Sequence, residues 1–93
     1  MFAKIFQSPA YGQILVKLDS ADDDGSPEVR FYVKPKNLGV CSFAIGFSDS
    51  DEGWNAAERG FENTDLKKAE QGIATMFEDF PVAVEFAEEA SRN

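Results

Sequence analysis

The sequence contains no histidine and only one cysteine among its 93 residues. Histidine is the commonest general base and metal ligand in proteins, so its absence counts against most histidine-based chemistry. A structural zinc site of the usual Cys and His type is excluded, because Cys41 stands alone. A single cysteine also excludes an internal disulfide and makes the cytosol the expected compartment.

Long apolar runs are also missing. No stretch approaches the roughly 20 apolar residues of a membrane-spanning helix, and residues 1–9 lack the apolar run of a signal peptide. No glycine-rich phosphate loop is present, so we expect no nucleotide cofactor. The length suits a single domain over residues 1–93, and nine Phe, two Tyr and one Trp favour a packed core over disorder.

Acidic residues are concentrated in the second half of the chain. Residues 1–48 hold five Lys or Arg and five Asp or Glu, whereas residues 49–93 hold four and twelve, which accounts for the net charge of -8. One interpretation is a solvated helical surface that aids solubility. The other is a surface that fits a basic partner, with Asp49, Asp51 and Glu52 as candidate contacts.

The first half alternates between apolar and polar residues with a period of two. Strands are predicted near residues 13–19, 28–34 and 40–47, and a further strand over Phe2–Gln7. Short connections rich in Pro, Gly and Asp favour an antiparallel meander with one buried face. The residues expected to be largely buried are Phe31, Phe43, Ile45, Phe47, Ile73 and Phe77.

After residue 50 the apolar period becomes helical. A first helix is predicted from Asp51 as N-cap to about Asn63, and a second from Thr64 as N-cap to Pro81. The apolar stripes of the two helices are Trp54, Ala57 and Phe61, and Leu66, Ala69, Ile73, Phe77 and Phe80.

The segment after Pro81 fits two patterns. Val82, Val84 and Phe86 alternate as in a strand, but a helix is favoured because proline suits the first helical position. The predicted fold class is therefore α+β: a three- to four-stranded antiparallel meander with two or three helices packed on one face.

Three features that could carry chemistry have simpler explanations. Asp22–Gly25 resembles part of a calcium loop, but the loop pattern requires acids where this chain has Ser20 and Phe31, so a solvated turn is favoured. Cys41 lies on the predicted inner face and is interpreted as a small buried hydrophobe. The many carboxylates occupy polar stretches, so neither a catalytic site nor a metal site is predicted.

The outward face of the predicted sheet is basic and aromatic. Lys and Arg beside an aromatic ring can contact phosphates and stack on a base, although ion pairs with Asp19 or Glu28 would leave the same face merely solvated. The small residues at 42, 44 and 46 leave room for the N-terminal segment or a partner to lie across them. The candidate partner-binding or RNA-binding residues on this face are Lys17, Arg30, Tyr32, Lys34 and Lys36.

Four segments resemble those of small proteins from phages and mobile elements: Tyr11–Asp19, Asp24–Val33, Leu38–Phe47 and Asp51–Ala57. In size, acidity and layout the whole chain resembles the phage-encoded anti-CRISPR proteins, most closely the type I-F inhibitors of the Csy surveillance complex. The resemblance implies a cytoplasmic protein of the infected bacterium that binds the crRNA-guided complex and prevents target DNA from binding.

The resemblance further implies docking on the backbone or large subunit of that complex, and no catalytic residues. Direct contact with crRNA is expected from the basic and aromatic sheet face and not from the resemblance. No site residue is implied by the resemblance itself. The alternative hypotheses are a phage or mobile-element accessory or structural protein with no CRISPR role, and a small enzyme. A co-purified ribonucleoprotein would favour the inhibitor, and a homo-oligomer without partner the accessory protein.

Overall fold

A four-stranded antiparallel sheet and two helices form the described part of the fold. The computed structural model describes residues 2–21, 23–36 and 38–78, and the statements below refer to these residues. The elements in chain order are β1 (Phe2–Ser8), β2 (Gly12–Ser20), β3 (Pro27–Val33), β4 (Cys41–Gly46), α1 (Asp51–Asn63) and α2 (Leu66–Glu78).

The strands follow one another in the order β1-β2-β3-β4, so the predicted meander is confirmed. Each connection is short enough to return the chain directly alongside the strand that it leaves. Gly12, the first residue of β2, and Gly25, in the connection before β3, adopt φ angles of 76° and 75°. A residue without a Cβ adopts this left-handed conformation at little cost, which explains glycine at both turns.

One face of the sheet is buried beneath the two helices. On the central strands β2 and β3, every second residue points inward, and the helices add their own apolar stripes. The α+β class with helices on one face is therefore confirmed. The core consists of Ile14, Val16, Leu18, Val29, Phe31, Val33, Ala57, Phe61, Ala69, Ile73 and Met76.

Both predicted helix caps lie one residue from the observed ones. Ser50, not Asp51, is the N-cap of α1, and its Oγ accepts the Gly53 N–H at 3.0 Å. Before α2, the Asp65 carboxylate accepts the Lys68 N–H at 2.9 Å, whereas Thr64 closes α1. Ser, Thr and Asp are all good N-caps, so only the backbone conformation decides among neighbours.

Burial at β4 is lower than predicted. Phe43 stacks on Phe31 with ring centroids 4.8 Å apart but remains half-buried, as does Phe47 beyond the strand end. Ile45 is 50% exposed, so its predicted burial is wrong. The helices pack mainly on β1, β2 and β3, so the inner face of the edge strand β4 is only partly covered. Cys41 is likewise half-buried against the core.

The remaining helix predictions have mixed outcomes. Phe77 packs against the core but is half-buried, and Met76, which the predicted stripe omitted, is buried. Neither α1 nor α2, the helices of the described part, is long and apolar enough to cross a membrane. The predictions for Phe80, Pro81 and the segment after them lie outside the described residues.

Polar contacts join β1 to both helices. Lys4 Nζ donates to the carbonyl oxygens of Phe61, Glu62 and Thr64 at 2.7, 3.1 and 3.3 Å, at the C-terminal end of α1 where carbonyl groups lack the donors of a further helical turn. The Phe61 carbonyl also accepts the Thr64 N–H at 3.2 Å. Ser8 Oγ donates to Glu70 Oε2 of α2 at 2.6 Å. These contacts fix the helices over the sheet and thereby set which surfaces remain exposed.

Candidate functional site

The outward side of α1 carries an acidic surface. Helical periodicity turns Asp51 and Glu62 away from the buried Ala57, and it places Glu58 on the flank beside Phe61. Two more carboxylates adjoin them at the start of the helix. All five are exposed, and we call this set the acidic helix face: Asp49, Asp51, Glu52, Glu58 and Glu62.

The carboxylates of the acidic helix face are not neutralised by ion pairs within the described part of the chain. The ion pair found there joins Arg30 to Glu28, on the other side of the sheet. Arg59 lies on the exposed side of the same helix and reduces the local charge, and it forms no ion pair with another described residue. Asp51 and Glu52 lie in the first turn, where the positive end of the helix dipole favours them.

The second candidate surface is the outer sheet face, which no described helix covers. It is formed by the outward residues of the four strands and of the loop between β3 and β4. The structure brings Lys17, Arg30 and Tyr32 together there, since Lys17 and Arg30 are register partners and Tyr32 is the next outward residue of β3. Lys34 follows β3, and Lys36 is exposed in the turn beyond it.

Arg30 is already engaged within the sheet. Its Nε donates to Glu28 Oε2 at 2.7 Å, its Nη2 to Glu28 Oε1 at 3.3 Å and its Nη1 to Ser42 Oγ at 3.0 Å. A bidentate pair of this kind fixes the guanidinium and compensates its charge. The sequence analysis named Asp19 and Glu28 as candidate ion-pair partners for the basic residues of this face. The observed pair with Glu28 joins two residues of β3 and does not link neighbouring strands.

The sequence predicted a basic and aromatic outer sheet face, but the face is not uniformly basic. At one end, a depression of about 620 Å³ is lined by Asp19, Asp23, Asp24 and Glu28 together with Lys17 and Arg30, so carboxylates outnumber cations. Positive charge without a described partner remains at the opposite end, at Lys34 and Lys36.

An apolar depression of about 310 Å³ adjoins the polar one, and Tyr32 lines both. Its lining includes Ile5, Leu15, Val40 and Lys34. Ile5 and Val40, which are 59% and 66% exposed, were missed by the sequence reasoning. The sequence does contain a sign of this patch. The alternation of each strand places these two apolar residues at outward-pointing positions, where polar residues are expected.

The predicted row of small residues on β4 is not covered by the N-terminal segment. That segment forms β1 and pairs with β2, at the opposite edge of the sheet. Ala44 and Gly46 instead line the polar depression, and Ser42 accepts the hydrogen bond from Arg30. The room above these residues therefore remains open among the described elements.

The Asp-rich turn is held by local hydrogen bonds. Asp24 Oδ1 accepts from the Ser26 hydroxyl at 2.6 Å and from the Ser26 N–H at 2.9 Å, and these bonds lower the pKa of the Asp24 carboxyl. Asp22 lies outside the described residues. Within residues 2–21, 23–36 and 38–78, no three Asp, Glu or Cys side chains are grouped in a way that could hold a metal ion.

Comparisons of the chain with protein-family models, with characterised proteins and with solved structures found no match. Its function is therefore inferred from its own charges, exposed surfaces and contacts. The two surfaces that stand out are the acidic helix face and the outer sheet face, which lie on opposite sides of the molecule because both helices cover the inner face of the sheet.

Proposed function

We propose that this chain is an anti-CRISPR inhibitor that binds a crRNA-guided type I surveillance complex and blocks target DNA binding. The observation that carries the proposal is the acidic helix face, whose five carboxylates are exposed and have no ion-pair partner among the described residues. The resemblance to type I-F inhibitors in size, acidity and layout supplies the class of target.

The physical basis of inhibition is competition for cations. A protein channel that holds DNA presents Lys and Arg to phosphates, and the same cations attract carboxylates. Asp51 and Glu62 are separated by eleven residues, or about 16 Å along the helix axis. Over that axial length one strand of a DNA duplex presents about five phosphates, so the helix matches the length of a short DNA segment.

Contact with the guide RNA is a second element of the proposal. Arg30 forms an ion pair with Glu28, so the positive charge of Arg30 is largely compensated within the sheet. The groups still available for phosphates or bases are Lys17, Tyr32, Lys34 and Lys36. We expect this contribution to be smaller than that of the acidic helix face, because the carboxylates of the polar depression repel phosphates.

The test is a DNA-binding competition with purified type I-F complex. The test variant replaces Asp49 and Asp51 with Asn and Glu52 with Gln, which removes three charges without adding bulk. The control variant makes the same amide changes at Asp23, Asp24 and Glu78, which are exposed away from the acidic helix face. Asp23 and Asp24 line the polar depression, whose carboxylates repel phosphates, so their removal should not weaken binding. Both variants shift the net charge equally, so a difference between them reports the position of the charge and not its total.

The wild-type chain should abolish target DNA binding at saturation. The test variant should associate more slowly than the control, and the difference should grow at low salt, where exposed charges are screened less. Equal association rates for the two variants would contradict the role of the acidic helix face. Unimpaired DNA binding with saturating wild-type protein would contradict inhibition of the type I-F complex.

A further inference from the structure

The outer sheet face combines exposed apolar surface with a charge pattern that runs along the strands. Ile5 and Val40 are more than half exposed, and with Leu15 and Tyr32 they form an apolar surface across the sheet. An exposed apolar patch with polar residues around it is typical of a protein interface. No described element of the chain covers this patch.

The charge pattern is simplest along β3, in its three outward residues and in the outward residue that follows the strand. In chain order they are Glu28, Arg30, Tyr32 and Lys34. The Glu28 end adjoins Asp19, Asp23 and Asp24 in the polar depression, whereas the Lys34 end leads to Lys36. Along the strands the face is thus acidic at Glu28, cationic at Arg30 and Lys17, and apolar or aromatic at Tyr32, Leu15 and Ile5. The apolar residues adjoin the basic end at Lys34.

We propose that the outer sheet face binds a second copy of this chain, with the two-fold axis lying between the sheets and perpendicular to β3. This axis reverses the strand direction, so Glu28 of each copy lies opposite Lys34 of the other, and Arg30 opposite Tyr32. A guanidinium over an aromatic ring is a favourable contact. An axis parallel to β3 would instead place acid on acid and Lys34 on Lys34.

The size of the face sets the expected strength of the dimer. Four strands about 4.8 Å apart and about seven residues long cover roughly 450 Å², or roughly 900 Å² for the two copies. This area is at the low end for specific interfaces, so we expect a dissociation constant in the micromolar range. Because the helices cover the inner face of each sheet, the dimer would present two acidic helix faces on opposite outer sides. The dimer would cover Tyr32 and Lys34, so only the monomer would contact guide RNA through the outer sheet face.

Sedimentation velocity of the full chain from about 1 to 500 μM, at roughly 150 mM salt, tests the proposal without any CRISPR component. At that salt the Debye length is about 8 Å, so the net charge of each copy is screened while adjacent charges still interact. The wild-type protein should show a concentration-dependent dimer. Lys34→Glu should weaken it at least tenfold, because each dimer then has two carboxylate pairs in place of two ion pairs.

The control is Lys67→Glu, the same charge change at an exposed position of α2. It should leave dimerisation unchanged. The double variant Glu28→Lys with Lys34→Glu should recover most of the affinity lost in the single variant, since the opposed pairs are restored with their signs exchanged. Because Glu28 also pairs with Arg30, melting temperatures should accompany each measurement. Ile5→Ser, a change at an exposed apolar site, should also weaken the dimer.

Three results would overturn the proposal. The first is a monomer at all concentrations. The second is a dimer that is insensitive to both Lys34→Glu and Ile5→Ser, which would place the contact elsewhere, for example at the open edges of β1 or β4. The third is a weakened Lys34→Glu dimer that the charge exchange does not restore in a stably folded double variant, since the perpendicular two-fold axis requires Glu28 opposite Lys34.

Discussion

The contact between Lys4 and the end of α1 predicts a large effect of one substitution at the sheet edge. Lys4→Met keeps most of the aliphatic side chain but removes the ammonium group. Three carbonyl oxygens, of Phe61, Glu62 and Thr64, then lose their described side-chain donor. The ammonium also lies 4.8 Å from the centre of the Phe61 ring.

The magnitude follows from the type of contact and its exposure. Hydrogen bonds from a charged donor contribute roughly 1.5–3 kcal/mol, and a cation at a helix C-terminus roughly 0.3–2 kcal/mol. Lys4 is half-buried, so water can replace part of what is lost. We therefore expect Lys4→Met to lower the free energy of unfolding by about 2 kcal/mol. For a domain of this size that corresponds to a melting temperature about 8–16 °C lower.

Urea unfolding followed by circular dichroism measures this change. The midpoint should fall while the m-value stays the same, because the surface exposed on unfolding hardly changes. Lys67→Met is the matched control, since Lys67 is exposed on α2 and makes no described contact with α1. If the two variants were destabilised equally, the contact between Lys4 and α1 would contribute nothing measurable and the reasoning would be wrong.

Two further predictions concern β4 and the Asp-rich turn. Phe43→Ala should lower the free energy of unfolding by about 2–3 kcal/mol through lost stacking on Phe31, whereas Ile45→Ala should lower it by about 1 kcal/mol or less. Thermal unfolding measures both variants, and equal losses of stability would contradict the difference in burial. Millimolar calcium should leave the melting temperature within about one degree of a magnesium control, and a calcium-specific rise of many degrees would identify a site at Asp23 and Asp24.

The alternation and periodicity of apolar residues were sufficient to predict the strands, the helices and the inward face of the sheet. Alternation of apolar and polar residues identified Val29, Phe31 and Val33 as inward, and these three residues are buried. The same pattern placed Ile45 inward, which is the correct face, yet the residue is half exposed. Periodicity reports which side a residue occupies, whereas the area that the helices cover depends on packing between distant segments.

Contacts between distant residues could not be predicted. Lys4 is the inward residue between Phe2 and Phe6 on β1, and nothing near it indicates carbonyl partners 57 to 60 residues away. The candidate sites show the same limit. The alternating pattern correctly placed Lys17, Arg30, Tyr32 and Lys34 on one face. It could not predict that Arg30 forms an ion pair with Glu28. The three carboxylates proposed near residue 50 are adjacent in sequence, so local order alone placed them together.

The most direct test of the central claim measures target DNA binding by purified type I-F surveillance complex at increasing concentrations of this chain. We predict that DNA binding is lost at saturation and is recovered in part when Asp49, Asp51 and Glu52 carry amides. The control with amides at Asp23, Asp24 and Glu78 should inhibit at least as well as the wild-type protein, because two of these carboxylates line the depression that repels phosphates. Undiminished DNA binding and cleavage at saturating wild-type protein would contradict the account.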